Sequence, residues 1–250
     1  MMGAVIRIGF LHTADLHVPT FRSLVEELAT GEVEQQHLVD AGLLADARAG
    51  RPYQDGLRAR FAELAGNDVV VVTCSSIGGT AEQLLPTVIR ADRPMAEAAA
   101  RYRRIGLAYT VDSTLAPTRE LLAEAGAGSA DGADGADGVD DKASADGADG
   151  ADGADGVDGK AGADDVDGHA GELVEIPCPA AWARFEAGDL PGYHASIAEQ
   201  VRAAAGAVDV VVLAQASMVP ALALLTDLPV PVLTSPRLAV RRALGLDDPA

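Results

Sequence analysis

The chain has 250 residues, enough for one large domain or two small ones. It is 48% hydrophobic but only 4% aromatic, and its Ala, Val and Leu favour buried parallel strands and helices over an aromatic-rich β-sandwich. The net charge of −19 argues against a nucleic-acid-binding surface, because phosphate contacts need clustered Lys and Arg.

The cysteines and the N-terminus indicate the compartment. Two cysteines, Cys74 and Cys178, are too few for a disulfide framework in a chain of this length. The apolar N-terminal run is interrupted by Arg7 and leads into a strand-like pattern, which is not typical of a signal peptide. No uninterrupted apolar stretch of about 18 residues indicates a membrane span. We therefore expect a cytoplasmic location and no membrane partner.

The first part of the chain alternates strand-like and helix-like patterns. Its clearest buried strand is a Val run led by Asp68, which ends at Cys74, and the next helix is predicted to begin near Thr80. The strands are predicted at 4–11, 36–40, 68–73 and 88–91. One helix is predicted to end at about 29 and another to begin at about 80, and two more are predicted at 55–65 and 94–102.

The pattern then restarts, and its strongest strand is again the third, led by Asp209 and built on Val. The strands are predicted at 104–111, 172–177, 209–213 and 230–234, and the helices at 114–125, at 193–205 and up to about 244. Alternating strands and helices indicate right-handed βαβ units and parallel sheets.

We therefore predict an α/β protein with two pseudosymmetric Rossmann-like lobes and an active site in the cleft between them. The first lobe is 1–95 and the second is 96–235, and a C-terminal helix in 236–250 packs back on the first lobe. Ligands of such sheets bind beyond the carboxyl ends of the strands. Two facing lobes would place both third-strand loops in one cleft.

Residues 127–171 interrupt this order with an Ala-Asp-Gly repeat. They hold 13 Asp and two Lys, so more than half of the net charge lies there. With almost no large apolar residue the segment cannot bury enough surface to offset its ordering entropy, and we predict a disordered insertion. It lacks the Pro of collagen and a complete calcium loop, but weak cation binding or a partner-binding role stays open.

Cys74 carries the sharpest chemical signal. It follows a buried strand and precedes Gly78, Gly79 and a predicted helix, whose N-terminus offers free N–H groups and a partial positive charge. These groups would stabilise a thiolate, a substrate carboxylate or an enolate-like oxyanion, and Ser75 and Ser76 add hydroxyl donors. The alternative is that Cys74 is a small buried hydrophobic residue.

Several segments together resemble the aspartate/glutamate/hydantoin racemase superfamily. The segment 71–78 (VVTCSSIG) looks like its first cysteine loop, and the loop at 213–218 (LAQASM) lies where the second is expected. The segments 92–96, 104–114 and 231–236 are similar to others of the family, in order. The resemblance implies no metal, pyridoxal phosphate or nucleotide, and a thiolate that removes a proton α to a carboxylate while a second thiol returns one.

The sequence departs from that pattern at Gln215, where the second cysteine would fall. An amide cannot transfer a proton near pH 7, although it can donate hydrogen bonds to a carboxylate. The chain therefore resembles a branch with a Cys-Ser-Ser loop and no second catalytic Cys. One thiol could protonate a single face as in a lyase, Cys74 could attack covalently as in maleate-isomerase-like members, or Cys178 could replace the missing partner.

Further candidate residues surround this loop. The resemblance implies a carboxylate-binding loop at Thr110, Ser113 and Thr114, although Thr114 could equally cap a helix. Thr13 follows the first strand and would face the cleft, and His12 is either a second proton-transfer group or an ordinary strand-end histidine. Ser217 lies in the opposing loop, where it binds substrate or caps a helix.

These observations lead to competing hypotheses. We expect a cofactor-independent isomerase or racemase that acts on a small carboxylate-containing substrate, and a homo-oligomer is possible. The alternatives are a single-cysteine lyase, a carboxylate-binding protein without catalysis, and a function carried by the acidic repeat itself.

Overall fold

The computed structural model describes residues 5–131 and 172–247, and the side chains of Ser113 and of 127–131 are not described. Two four-stranded parallel sheets form the framework, each with helices packed against it. In each sheet the strand order is second, first, third, fourth along the chain of that lobe. The prediction of an α/β protein with two lobes of the same topology is confirmed.

The first part of the chain contains β1 to β4 and α1 to α5, and α5 packs in the apolar cluster of the second lobe. Its strands are β1 Ile6–His12, β2 Val33–Val39, β3 Val69–Val72 and β4 Ile89–Arg90. Its helices are α1 His17–Leu28, α2 Ala41–Arg48, α3 Gln54–Leu64, α4 Ser75–Leu84 and α5 Arg93–Ala99.

The second lobe repeats this arrangement with three short 3-10 segments. Its strands are β5 Arg104–Tyr109, β6 Glu172–Pro177, β7 Val210–Leu213 and β8 Val232–Thr234. Its helices are α6 Leu115–Asp131, α7 Pro179–Glu186, α8 Leu190–Ala204 and α9 Ser235–Ala243, and the 3-10 segments are Asp112–Thr114, Ala205–Ala207 and Ala216–Leu224.

The two Asp residues that precede the Val runs have equivalent structural roles. Asp68 accepts a hydrogen bond from the backbone N–H of Arg7 at 2.8 Å, and Asp209 accepts one from the backbone N–H of Arg104 at 2.9 Å. Each carboxylate ties the start of the third strand to the start of the first. The Val runs that follow are buried on both faces of their sheets, as expected for parallel strands.

The last helix packs on the first lobe. Ala239, Val240 and Ala243 of α9 lie in one apolar cluster with Ile8 and Phe10 of β1. The chain therefore returns to the first lobe after β8, and Leu238 of the same helix packs in the apolar cluster of the second lobe.

Several elements differ from the sequence predictions. Helix α2 was missed, although Asp40 caps it by accepting from the Gly42 N–H at 3.0 Å, and α7 was missed as well. Both are eight residues long, too short for a clear apolar period. Helix α4 begins at Ser75 rather than near Thr80, because Gly78 and Gly79 lie inside the helix.

Helix α6 continues through Asp131 and therefore includes the first residues of the segment 127–171, which is predicted to be a disordered insertion. The rest of the prediction, 132–171, lies outside the described residues. Within the part of the chain that is described, no helix is long and apolar enough to cross a membrane.

Candidate active site

A cavity of about 220 Å³ lies between the lobes at the carboxyl ends of the strands. Residues from both lobes line it, which places the third-strand loops of the two sheets on facing walls. The cavity-lining residues that the sequence singled out are Thr13, Cys74, Ser75, Ser76, Thr114, Gln215 and Ser217.

Cys74 is the N-cap residue of α4 and is partly exposed in this cavity. Its extended backbone (φ −105°, ψ 116°) turns the chain from β3 directly into the helix. The first residues of the helix, Ser75 and Ser76, follow it, and their N–H groups have no partner in an earlier turn of the helix. The thiol therefore lies at the positive end of the helix dipole.

Helix α4 is held by a buried ion pair beneath it. Arg90 donates to both carboxylate oxygens of Asp92, at 2.6 and 3.0 Å, and both side chains are almost fully buried. A Cβ on Gly78 would come within 2.8 Å of the Arg90 side chain, so only glycine allows α4 to pack this closely. No local sequence pattern indicates this contact, because it joins residues of different elements.

Gln215 occupies in the second lobe the position that Cys74 occupies in the first. Leu11 of β1 pairs with Val72 of β3, and Ala108 of β5 pairs with Leu213 of β7. Cys74 lies two residues after Val72, and Gln215 lies two residues after Leu213. Each is the N-cap residue of the helical segment that follows. The cleft is therefore chemically asymmetric, with a thiol on one wall and an amide on the other.

Thr110 fixes the orientation of the Gln215 amide. Gln215 Oε1 accepts from the Thr110 backbone N–H at 2.9 Å and from the Thr110 hydroxyl at 2.7 Å. Because a backbone N–H can only donate, the oxygen rather than the nitrogen must face Thr110. The Nε2 group is the end of the amide that can donate to a ligand. Thr110 itself is buried behind Gln215 and does not line the cavity.

Ser217 is held by the second lobe from behind. Its hydroxyl lies 2.9 Å from the hydroxyl of Tyr193, and its carbonyl lies 3.3 Å from Nε2 of His194. Tyr193 is fully buried, and burial raises the pKa of its phenol. These contacts leave Ser217 in a defined position on the cavity wall.

The predicted Thr-rich loop is only partly available to a ligand. Thr114 lines the cavity, but its hydroxyl donates to the carbonyl of Val111 at 2.8 Å. Its single hydrogen is therefore used within its own turn. The side chain of Ser113 lies outside the described residues.

His12, which the sequence analysis considered as a second proton-transfer group or an ordinary strand-end histidine, does not line the cavity. It is fully buried beneath the cavity floor, with Nδ1 3.0 Å from Thr73 Oγ1 and Nε2 2.9 Å from Nδ1 of His37. Burial, with smaller effects of His37 and His17, lowers the pKa of His12 to about 3. The imidazole is therefore neutral at neutral pH.

Cys178 does not replace the missing second thiol. It is buried in the apolar cluster of the second lobe, where its S–H donates to the carbonyl of Ile176 at 3.6 Å. Burial raises the pKa of this thiol to about 11. Both properties are those of an inert structural cysteine.

The structure adds cavity residues that the sequence analysis missed. Arg48, exposed in the last turn of α2, supplies a cation, and Trp182 and Phe185 of α7 supply an apolar wall. The two aromatic rings stack with centroids 5.2 Å apart. A second cavity of about 320 Å³ shares Arg48 and Trp182 with the first, so the site extends beyond Cys74.

These residues were missed because α2 and α7 were not predicted. The predicted helices at 55–65 and 193–205 already provided the crossover that must follow β2 and β6, so the order of the strands gave no sign of an additional helix. Among residues 5–131 and 172–247, no group of three or more His, Cys, Asp or Glu side chains is arranged to hold a metal ion.

The fold and the site define a class of protein in which two similar α/β lobes surround one cleft with their strand-end loops. Among solved structures, the chain is similar to an aspartate racemase from Picrophilus torridus, with a TM-score of 0.57 and 11% identity over 97% of this chain and 95% of that one. It is also similar to an allantoin racemase from Klebsiella pneumoniae, with a TM-score of 0.56 and 16% identity over 96% and 89% of the two chains.

A third similar structure is a maleate cis-trans isomerase from Nocardia farcinica, with a TM-score of 0.54 and 16% identity over 97% of this chain and 94% of that one. These structural neighbours are proteins of the aspartate/glutamate/hydantoin racemase superfamily, and the chain has their fold. Its sequence matches no protein-family model and no curated protein.

Proposed function

We propose that this chain is a cofactor-independent enzyme of the racemase and isomerase type. It acts at the carbon next to the carboxylate or carbonyl of a small acid or amino-acid derivative, and Cys74 is its thiolate base and acid or its nucleophile. The observation that carries this proposal is the position of Cys74, partly exposed at the N-terminus of α4 in the inter-lobe cavity.

The cavity offers partners for a carboxylate or for an enolate-like oxyanion. The first N–H groups of α4 and the hydroxyls of Ser75 and Ser76 lie beside the thiol. Gln215 Nε2 donates from the facing wall, and Arg48 supplies a positive charge at the rim. Such donors stabilise the charge that develops when a proton is removed next to a carboxylate.

The asymmetry of the cleft favours one-thiol chemistry. Gln215 cannot return a proton to the face opposite Cys74, so a two-thiol exchange is not available. In the nucleophilic route, the thiolate sulfur bonds to one carbon of a double bond conjugated with a carboxylate. The carbon–carbon bond then rotates as a single bond, and elimination of the thiolate restores the double bond in the other geometry.

The similar maleate isomerase supports this route, since its structure contains a covalently bound succinylcysteine intermediate. A lyase is the second candidate, and the same asymmetry favours it. In that reaction, loss of carbon dioxide leaves a carbanion next to the remaining carboxylate, and the Cys74 thiol protonates it on one face. A binding protein without turnover is the third, because half of a proton-transfer pair is missing.

The test is turnover of a panel of small dicarboxylates, amino acids, hydantoins and substituted malonates, followed by proton NMR in heavy water. The readouts are double-bond isomerisation, loss of carbon dioxide and deuterium incorporation at the α-carbon. We expect Cys74→Ala to lower the rate by at least about a thousandfold, as removal of a catalytic nucleophile does.

Cys178→Ala is the matched control, because that buried thiol does not line the cavity, and it should keep the activity. Activity that survives Cys74→Ala unchanged would remove Cys74 from the mechanism. Binding of a carboxylate without turnover across the whole panel would favour the binding protein. A cytoplasmic location stays a prediction from the sequence.

A further inference from the structure

A chain of four hydrogen-bonded side chains crosses the first sheet beneath the cavity. Gln35 Oε1 lies 3.2 Å from Nε2 of His37, and Nδ1 of His37 lies 2.9 Å from Nε2 of His12. Nδ1 of His12 then lies 3.0 Å from Oγ1 of Thr73. The chain runs from the edge strand β2 through β1 to the end of β3, and it ends at a residue that lines the cavity.

The hydrogen atoms of this chain can be assigned without a conflict. His37 donates from Nε2 to the Gln35 oxygen, which leaves its Nδ1 as an acceptor for the Nε2–H of His12. Nδ1 of His12 is then the acceptor for the Thr73 hydroxyl. The carbonyl of Leu11, which accepts from the backbone N–H of Thr73 at 3.0 Å, is a second acceptor for that hydroxyl at 3.2 Å. Every group has a partner while both imidazoles are neutral.

The surroundings keep the two rings neutral and fixed. The His12 and His37 rings are nearly parallel, 5.2 Å apart between centroids, and the Phe10 ring stacks on His37 at 4.8 Å. Burial is the main cause that lowers the pKa of both histidines, and His37 and His17 beside His12 and Arg22 beside His37 act in the same direction.

We propose that His12 is a positioning residue that, together with His37, holds the two strand-end loops that carry Thr13 and Cys74 in register. His12 precedes Thr13 in the chain, and its partner Thr73 precedes Cys74, so one buried ring links both loops. An apolar ring at position 12 would fill the same space, but it would make neither of the hydrogen bonds that join His12 to Thr73 and to His37. The role in turnover rests on the proposed function, but the geometry of the thiol can be tested without a substrate.

The test compares alkylation of Cys74 by iodoacetate and by iodoacetamide in the full chain, measured by mass spectrometry of the Cys74 peptide. Iodoacetate is a small carboxylate with a reactive α-carbon, whereas iodoacetamide is its neutral counterpart. A thiol held beside the carboxylate-binding groups should favour iodoacetate more than a free thiol does. We expect His12→Phe, which keeps the ring and removes both nitrogens, to lower this preference about tenfold.

His12→Asn provides the rescue, because its amide places a polar atom near the position of Nδ1, and it should restore part of the preference. A preference in folded His12→Phe equal to that of the unsubstituted chain would overturn the proposal. A change in stability alone would not move this ratio in protein that is still folded.

If His12→Phe does not fold, His37→Phe decides, because His37 lies on the edge strand and is only partly buried. A loss of the iodoacetate preference in His37→Phe that is smaller than the tenfold loss expected for His12→Phe supports the proposal. An unchanged preference overturns it. Failure of the proposed function would be seen differently, as the absence of turnover with every carboxylate while the alkylation ratio still depends on His12.

Discussion

At the scale of single residues, the two walls of the cleft differ because Gln215 stands opposite Cys74. Thr110 holds Oε1 of this glutamine with two hydrogen bonds, so the side chain is a fixed donor rather than a mobile one. A fixed donor loses little entropy when a carboxylate binds, and it therefore suits recognition of a charged group. The opposite wall provides the reactive sulfur.

This geometry predicts the effect of Gln215→Glu. The carboxylate can still accept both bonds from Thr110, but a second negative oxygen replaces the Nε2 donors and repels a ligand carboxylate. Alkylation of Cys74 by iodoacetate should slow by about tenfold relative to alkylation by iodoacetamide, a loss of about 1.4 kcal/mol.

Gln215→Met is the matched control, since it keeps the chain length and removes the donors without adding charge. It should show a smaller change in the same direction. If the glutamate variant retains the iodoacetate preference of the parent chain, the ligand carboxylate does not lie near this amide.

At the scale of elements, α4 carries the reactive group and its packing determines where that group lies. Only Thr73 and Cys74 separate β3 from α4, and the inner face of the helix lies against the Arg90–Asp92 ion pair. A displacement of α4 that separated Arg90 from Asp92 would leave a buried charge without compensation. The position of the helix and the ion pair therefore depend on each other.

We expect Gly78→Ala to destabilise the first lobe by about 1–3 kcal/mol, because the new methyl group would collide with buried atoms of Arg90. Gly79→Ala tests the same helix without the collision, since its Cβ would meet Arg90 only at 3.6 Å. That control should be neutral or stabilising by up to about 1 kcal/mol, because alanine favours helix over glycine. Urea unfolding of the two variants measures the difference, and equal stabilities would contradict the packing described for α4.

At the scale of the whole molecule, two lobes of the same topology share one cleft and α9 joins them. The Ala-Asp-Gly repeat enters this arrangement between α6 and β6, both of which pack within the second lobe. The described contacts of α6 and β6 are with other elements of the protein.

Replacing 132–171 with a short flexible Gly-Ser linker should therefore change the free energy of unfolding by less than about 1 kcal/mol, because loop length affects closure entropy slowly. The preference of Cys74 for iodoacetate should persist in this variant. Loss of cooperative unfolding, or of that preference, would assign the acidic repeat a structural or functional role and revive the hypothesis that it is the functional part.

Much of the fold follows from local sequence patterns. The Val runs after Asp68 and Asp209 determined where the two central strands lie, and the polar loops after them determined where a site would form. The position of Cys74 opposite Gln215 follows from two equivalent strands in lobes of equal topology. These features depend on hydrophobic periodicity and on chain order, which a single sequence records directly.

The tertiary structure decided which neighbouring residues face the ligand. Thr13 lines the cavity whereas His12 does not, because β1 ends at His12, whose ring packs against Phe21 of α1. It also decided that Arg48 and Trp182 reach the cleft and that Cys178 does not. Contacts between distant segments set these outcomes, and no local pattern in the chain records them.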